Sequence, residues 1–341
     1  MAAPSRVVLA GRWLLVTAAA LGALVLVVWV VIVARRALPD DAIGGGGSLT
    51  APTFSDADST ADTSSQPLMI PDTLFGRSRA VRFAALSATE ANGFPGLLDA
   101  FGDTIVHTPG TFTVMAAGEP FHFFILRPFG QKRGEMLDGY RLGRWPAERW
   151  MMAENYLNPD GFVEVTEGGT ATRLSEHFRL ADFITNDEQA TWPKFVALEE
   201  RLIDKLELML AELQRGGIDS RRVVVLSGFR APYYNDRRLA EGAARASRHQ
   251  FGDAADLIID ADADGRMDDL NRDGRRDLRD LAPIGAAVAA VERSYPELVG
   301  GLGTYAAMGP SGPFAHIDVR GTSARWERAR RALTDTVGRK R

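Results

Sequence analysis

The chain has 341 residues, 45% of them hydrophobic, and a formal net charge of -4. That is enough apolar material for one large or two modest domains, and the near-neutral balance with scattered Arg and Lys argues against a nucleic-acid partner. With no cysteine in the sequence, disulfides, Cys-ligated zinc and a thiol nucleophile are excluded.

From Trp13 to Ala34 no residue is charged. A helix of that length, rising about 1.5 Å per residue, matches the roughly 30 Å hydrocarbon core of a bilayer. The run is longer than the apolar part of a cleaved signal and ends in Arg35-Arg36, so residues 1–36 are expected to form an N-terminal transmembrane helix that anchors the chain in the cytoplasmic membrane. Arg6 and Arg12 on one flank and Arg35 and Arg36 on the other leave its orientation open. Residues 37–70 are rich in Gly, Ser, Thr, Asp and Pro, and are expected to be a flexible tether because they hold too little apolar area to pack.

Strand signals dominate residues 71–170, which predict a small β-rich accessory domain. Thr111 to Met115 alternates, Phe121 to Leu126 is an apolar run, and Gly118, Pro128, Gly130 and Gly139 punctuate the stretch. Gly139 to Pro146, reading GYRLGRWP, is aromatic and basic; it is either a glycan or wall contact or a turn between core strands. Residues 171–341 predict an α+β domain. There Lys194 to Arg215 sets Leu198, Leu202, Leu206, Met209 and Leu213 on one helical face, and Gly216-Gly217 ends it. Arg222 to Ser227 reads as a buried strand and Pro283 to Arg293 as a second helix.

The stretch Ser247 to Asp256, SRHQFGDAAD, carries one of only five histidines and, seven residues on, a carboxylate opening the apolar run Leu257-Ile258-Ile259. Imidazole and carboxylate both ligate zinc, and a catalytic zinc usually takes three protein ligands and keeps a fourth position for water. A third ligand is required, and the best candidate lies in Phe314 to Asp318, FAHID. Taken alone, a histidine in a glycine-containing loop reads equally well as a hydrogen-bonded one.

Four motifs in order change that balance: SGFRAPYYN at Ser227–Asn235, SRHQFGDAADL at Ser247–Leu257, GGLGTY at Gly300–Tyr305, and FAHIDVRG with ARW at Phe314–Trp326. Together they resemble the zinc D-Ala-D-Ala carboxypeptidase and murein endopeptidase family, which shares the hedgehog/DD-peptidase fold, and in particular its periplasmic His-x-Asp branch. The resemblance covers about Leu174 to Trp326 and leaves the β-rich region unexplained. It implies a zinc (Zn2+) site built from His249, Asp256 and His316, an Arg230 that faces a substrate carboxylate, and substrate contacts from Tyr305 and from Ser247, whose hydroxyl otherwise caps the loop. Many relatives carry His-x-His or Glu-x-x-His at the last ligand, whereas Pro313 occupies that glutamate position here. Residues two apart on a strand share a face, so Asp318 is expected beside His316 as general base, as a support that orients a ligand, or as a ligand itself. The implied activity is hydrolysis of a peptide bond in peptidoglycan stem peptides by a zinc-activated water, with Arg230 and Asp318 as the catalytic pair, outside the cytoplasmic membrane. A catalytically silent module that keeps the fold and binds wall peptides or a partner is the alternative.

A second metal signal lies in the insert 260–280, DADADGRMDDLNRDGRRDLRD, where two copies align at a period of nine. Asp260, Asp262, Asp264 and Asp268 fill positions 1, 3, 5 and 9 of a calcium-type loop, and Asp269, Asn271, Asp273, Asp277 and Asp280 fill 1, 3, 5, 9 and 12. The segment is similar to thrombospondin type 3 and dockerin repeats, which implies Ca2+. The other reading is a solvated acidic loop neutralised by its arginines.

Overall fold

A computed structural model describes residues 68, 70–187, 189–306 and 309–328. The expected membrane anchor and almost the whole tether lie outside the described residues, among which no helix is long and apolar enough to cross a membrane.

The first sheet holds β1 (Phe83–Leu86), β2 (Gly110–Ala116) and β3 (Glu119–Ile125) in the order β1-β3-β2. The alternation read in β2 is present, with Val114 and Ala116 inward and Thr111, Thr113 and Met115 outward. Helices α1 (Ala88–Gly93) and α2 (Leu97–Phe101) accompany this sheet, whose core includes Phe75, Phe121, Phe123 and Ile125. A capping box starts α1: the Ser87 hydroxyl accepts the Glu90 N–H, and the Glu90 carboxylate accepts the Ser87 N–H.

The chain continues through β4 (Arg127–Pro128), β5 (Met136–Leu137), β6 (Tyr140–Arg141), β7 (Gly161–Val165) and β8 (Lys194–Val196), with β4, β7 and β8 in one sheet and β5 with β6 in a hairpin. Strand β8 corrects the expected helix from Lys194: the helix begins only at Glu200, as α3 (Glu200–Arg215). Phe195 and Val196 follow Pro193 and pair with Glu164 and Val163 of β7, so an available strand edge outcompetes helical propensity. One apolar cluster runs from Val81 to Val319. Packing therefore continues across residue 170, where the sequence suggested a boundary. In GYRLGRWP, Tyr140, Leu142 and Trp145 are fully buried, and the Trp145 Nε1–H donates to the Gln250 carbonyl at 2.7 Å. The stretch is a core turn, and only Arg141 and Arg144 of its large side chains face outward.

The remaining elements are β9 (Val223–Ser227), α4 (Pro232–Arg237), β10 (Ala254–Ile259), α5 (Leu281–Ser294), β11 (Gly301–Tyr305), β12 (Phe314–Asp318) and β13 (Ala324–Arg328). The five strands run in the order β13-β11-β12-β10-β9, and all neighbours are antiparallel except β11 and β13. Leu202, Leu206, Met209 and Leu213 of α3 are buried as the spacing predicts, in one cluster with Ile284, Val288 and Val291 of α5. That cluster takes Ala255, Leu257, Ala315 and Ile317 from one face of the sheet. By the period of two, Asp256 and His316 point to the other face.

Glu200 joins the two halves of this core, accepting the Ala85 N–H at 2.7 Å. Burial pushes its carboxyl from the ordinary 4.5 up to about 7, against the opposite pull of that hydrogen bond. The native state thus holds the proton more tightly than the unfolded chain. The resulting stabilisation is complete below the unfolded value and is lost as pH rises through about 7. We expect Glu200→Gln, which retains the acceptor, to match the natural chain near pH 4 and to exceed it by about 1–3 kcal/mol near pH 8. Urea unfolding at the two pH values checks this.

Candidate functional site

The turn Arg248–Phe251 delivers His249 and hands the chain to β10 through Gly252. Gly252 has φ +73°, and an added Cβ would lie 2.2 Å from the Ala197 carbonyl oxygen, so both conformation and space call for glycine. Strand register then assembles a row across the sheet: Ser227, Asp256, His316, Gly303 and Trp326 are successive cross-strand partners. Directly opposed residues share a face. A bulge beside Asp256 in the β9–β10 pairing is a device that re-aims side chains next to sites.

His249 Nε2 stands 3.2 Å, and His316 Nδ1 2.8 Å, from the same Asp256 oxygen, Oδ1. The two imidazoles meet edge to face at 4.9 Å. All three side chains are buried, with one ligand atom of each within 4.8 Å of the others. The remaining atoms of each are already committed. His249 Nδ1 donates to the Gly228 carbonyl at 2.7 Å, which fixes the proton there and leaves Nε2 as a lone pair. His316 Nε2 faces Asp318 Oδ2 at 3.2 Å, and Arg230 Nη2 donates to Asp256 Oδ2 at 2.6 Å.

The charges follow from these contacts. Burial pushes His249 down to about 4, and the Arg230 charge adds to it, so this imidazole is neutral at pH 7. Burial presses His316 the same way, but its bonds to Asp256 and Asp318 prevail and raise it to about 8. Burial would raise Asp256 as well, yet the two histidines hold it well below the ordinary carboxylate range.

Position bears on two of the expected roles. Arg230, expected to face a substrate carboxylate, spends Nη2 on Asp256 and Nε on the Ser227 hydroxyl at 2.8 Å, because all three lie at the same end of the β9–β10 pair. It still lines the cleft. Asp318 does share a face with His316, but on the imidazole edge turned away from Asp256. It is fully buried and accepts N–H groups from Gly301 at 2.7 Å and Arg320 at 3.1 Å, together with the Arg320 guanidinium. Lys205 Nζ, itself buried, holds the Asp318 carbonyl and the Glu292 carboxylate, each at 2.8 Å. Asp318 is absent from the cleft lining and so stands behind His316 rather than beside a substrate.

The cleft over the three side chains encloses about 540 Å³, and Ser247 and Tyr305 both line it. Ser247 makes no capping bond with its side chain. The Tyr305 ring stacks flat on Phe314 at 4.7 Å, and its hydroxyl accepts the Trp326 Nε1–H at 2.9 Å. Trp326 and Phe314 were not singled out from the sequence. A usable signal was the glycine of GGLGTY: a Cβ on Gly303 would lie 2.3 Å from the Trp326 ring, so its absence lets the indole cross the strand to within 5.3 Å of His316.

In the insert, Asp260, Asp262 and Asp268 bring oxygens within 4.8 Å of one another. Asp264 instead pairs with Arg276 at 2.5 Å, and Arg276 also reaches Asp262 at 3.0 Å. The second copy folds alike: Ala263 and Arg272 have φ of 63° and 61°, and Gly265 and Gly274 of 80° and 81°. Asp269 accepts the N–H groups of Asp273 and Gly274, and Asp280 those of Asp277 and Asn271. Among the described residues, Asp269, Asp273, Asp277 and Asp280 form no metal-sized group.

The chain matches no family model, curated protein or solved structure. The likeness to zinc peptidases therefore rests on the ordered motifs themselves.

Proposed function

We propose that the chain is a membrane-anchored zinc metallopeptidase that hydrolyses peptide bonds of peptidoglycan, of the murein D,D-endopeptidase or D-Ala-D-Ala carboxypeptidase type. Its catalytic domain works outside the cytoplasmic membrane, where that substrate lies. One observation carries this reading: His249, Asp256 and His316 turn three donor atoms toward each other while Gly228, Arg230 and Asp318 occupy their remaining polar atoms. Ligands fixed from behind in this way are arranged for a metal. Two imidazole nitrogens and one carboxylate oxygen fit a zinc site with one position left for water.

When bound, zinc supplies an activated water and polarises a carbonyl. The protein's own groups hold that arrangement. Gly228 and Asp318 each bind the outer nitrogen of an imidazole, and Arg230 fixes Asp256 while leaving its Nη1 for a substrate carboxylate. Ser247 and the Tyr305–Phe314 stack form walls on which a peptide lies.

A silent peptide-binding module is the second reading, and one observation favours it. Among the described residues lining the cleft the carboxylates are Asp256 and Glu241, and Glu241 pairs with Arg238 at 2.9 Å, so no unpaired carboxylate stands there. Incubating the folded, zinc-loaded chain with purified muropeptides separates the two readings. Shortened peptides in the mass spectrum are expected; muropeptides bound but intact would transfer the proposal to binding.

Calcium is the second cofactor in this reading, as a stabiliser of the insert that follows β10. At about a hundred times its Kd, a bound ion adds about 2.7 kcal/mol, or roughly 5–10 °C in melting midpoint. We expect Asp262→Asn to remove that rise. A midpoint indifferent to calcium would mean that Arg276 already neutralises the loop.

A further inference from the structure

Five arginines line the cleft: Arg230, Arg238, Arg248, Arg320 and Arg328. Four of them have a carboxylate each. Arg230 pairs with Asp256 at 2.6 Å and Arg238 with Glu241 at 2.9 Å, while Arg248 and Arg320 pair with the buried Asp253 and Asp318. Among the described residues no carboxylate pairs with Arg328. Its guanidinium is nonetheless held in place: Nη1 donates to the Gly242 carbonyl at 3.0 Å, and the group lies over the Tyr305 ring at 5.8 Å. Nη2 and Nε are left for a further acceptor.

Register fixes where this cation stands. Phe314, Tyr305 and Arg328 are successive cross-strand partners, and by the period of two they form a second row on the same face as His316, Gly303 and Trp326. The Arg328 backbone is therefore about 7 Å along the strands and about 10 Å across them from that of His316, or roughly 12 Å in all, which an extended chain spans in about three to four residues. Arg230 stands just beyond Ser227 of β9, at the opposite edge of the five-stranded sheet from β13. The candidate metal centre thus lies between two arginines.

We infer that Arg328 is a specificity-determining residue that binds a second carboxylate of the substrate, on the far side of the scissile bond from the one facing Arg230. The substrate class is then an acidic peptide with an anionic group toward each end of the cleft. A guanidinium already set by a carbonyl and an aromatic ring loses little freedom on taking a carboxylate, and its planar fork matches two oxygens. The inference rests on the peptidase reading, which lays the peptide across His316. An arginine that served only to tie β13 to the Gly242 turn would treat charged and neutral peptides alike.

Synthetic peptides ending in D-Ala-D-Ala, with Glu or Gln placed two, three or four residues before the scissile bond, provide the test. They are given to the full zinc-loaded chain, and cleavage and calorimetric binding are both followed, with purified muropeptides in parallel. Because Arg328 is exposed, water screens part of the attraction, so at one of these positions we expect Glu to lower KM about 3- to 30-fold relative to Gln at similar kcat. Arg328→Gln should erase that preference and Arg328→Lys restore part of it, with circular dichroism unchanged. Equal treatment of Glu and Gln at every position overturns the inference, as does a preference that survives Arg328→Gln. Glu peptides bound in preference through Arg328 but left intact, along with the muropeptides, end the peptidase reading and keep the inference. Muropeptides cleaved while the synthetic peptides are neither bound nor cut overturn the inference and leave that reading standing.

Discussion

If the proposed function holds, replacing His316 by alanine should empty the proposed zinc site and lower muropeptide cleavage by roughly a thousandfold or more, the equivalent of several kcal/mol of lost transition-state stabilisation. Alanine suits the strand, and the backbone pairs of β12 with β10 and β11 do not involve the imidazole. Asp318 keeps Gly301 and Arg320, and Asp256 keeps His249 and Arg230, so no buried carboxylate is left without partners. The loss is therefore expected in chemistry rather than in folding. Metal analysis should show zinc absent from the variant, circular dichroism an unchanged fold, and mass spectrometry intact muropeptides. Cleavage at the original rate would remove His316 from the ligand set.

Asp318→Asn should weaken zinc binding about 10- to 100-fold and leave turnover at saturating zinc nearly intact, because the carboxylate acts on His316 from behind. Burial alone would raise the Asp318 pKa, but its bonds with His316 and Arg320 hold it far below the usual carboxylate range. Asp318 meets the imidazole at Nε2 and is not part of the cleft lining, so a water in the cleft has His316 between itself and this carboxylate. Asparagine keeps the shape but removes the charge that Arg320, 17% exposed, relies on. Breaking a buried pair in this way costs up to about 3–5 kcal/mol, which urea unfolding would register. A general base behaves in the opposite manner, with turnover falling about 100- to 10,000-fold while metal affinity holds. Chelator competition beside turnover at saturating zinc tells the two apart.

The three proposed ligands were readable because their neighbours constrain them. Gly252 marks the turn that carries His249, and the alternation of Phe314-Ala315-His316-Ile317-Asp318 puts His316 on the face opposite the buried alanine and isoleucine. The same alternation was insufficient for Asp318. Sharing a face says nothing about which imidazole nitrogen a neighbour meets, and Arg320 and Gly301 draw the carboxylate to the Nε2 side. The contact between Arg230 and Asp256 was not legible for a related reason, since it arises only through the β9–β10 pairing. Composition left GYRLGRWP open between a wall contact and a core turn, and the packing, which places Tyr140 and Trp145 inside, decides for the turn.

By itself the sequence determined strands at Thr111 to Met115, Phe121 to Leu126 and Arg222 to Ser227, the buried apolar run Leu257 to Ile259, and most of α3 and α5, because apolar periodicity is a property of neighbouring residues. It also determined which residue types are available for metal chemistry. Only the tertiary structure decided that Lys194–Val196 is a strand, since that depends on β7 offering an edge. It alone decided the wiring of the candidate centre as well. Asp256 and His316 lie 60 positions apart, and strand register, which no local pattern encodes, sets their oxygen and nitrogen 2.8 Å from each other.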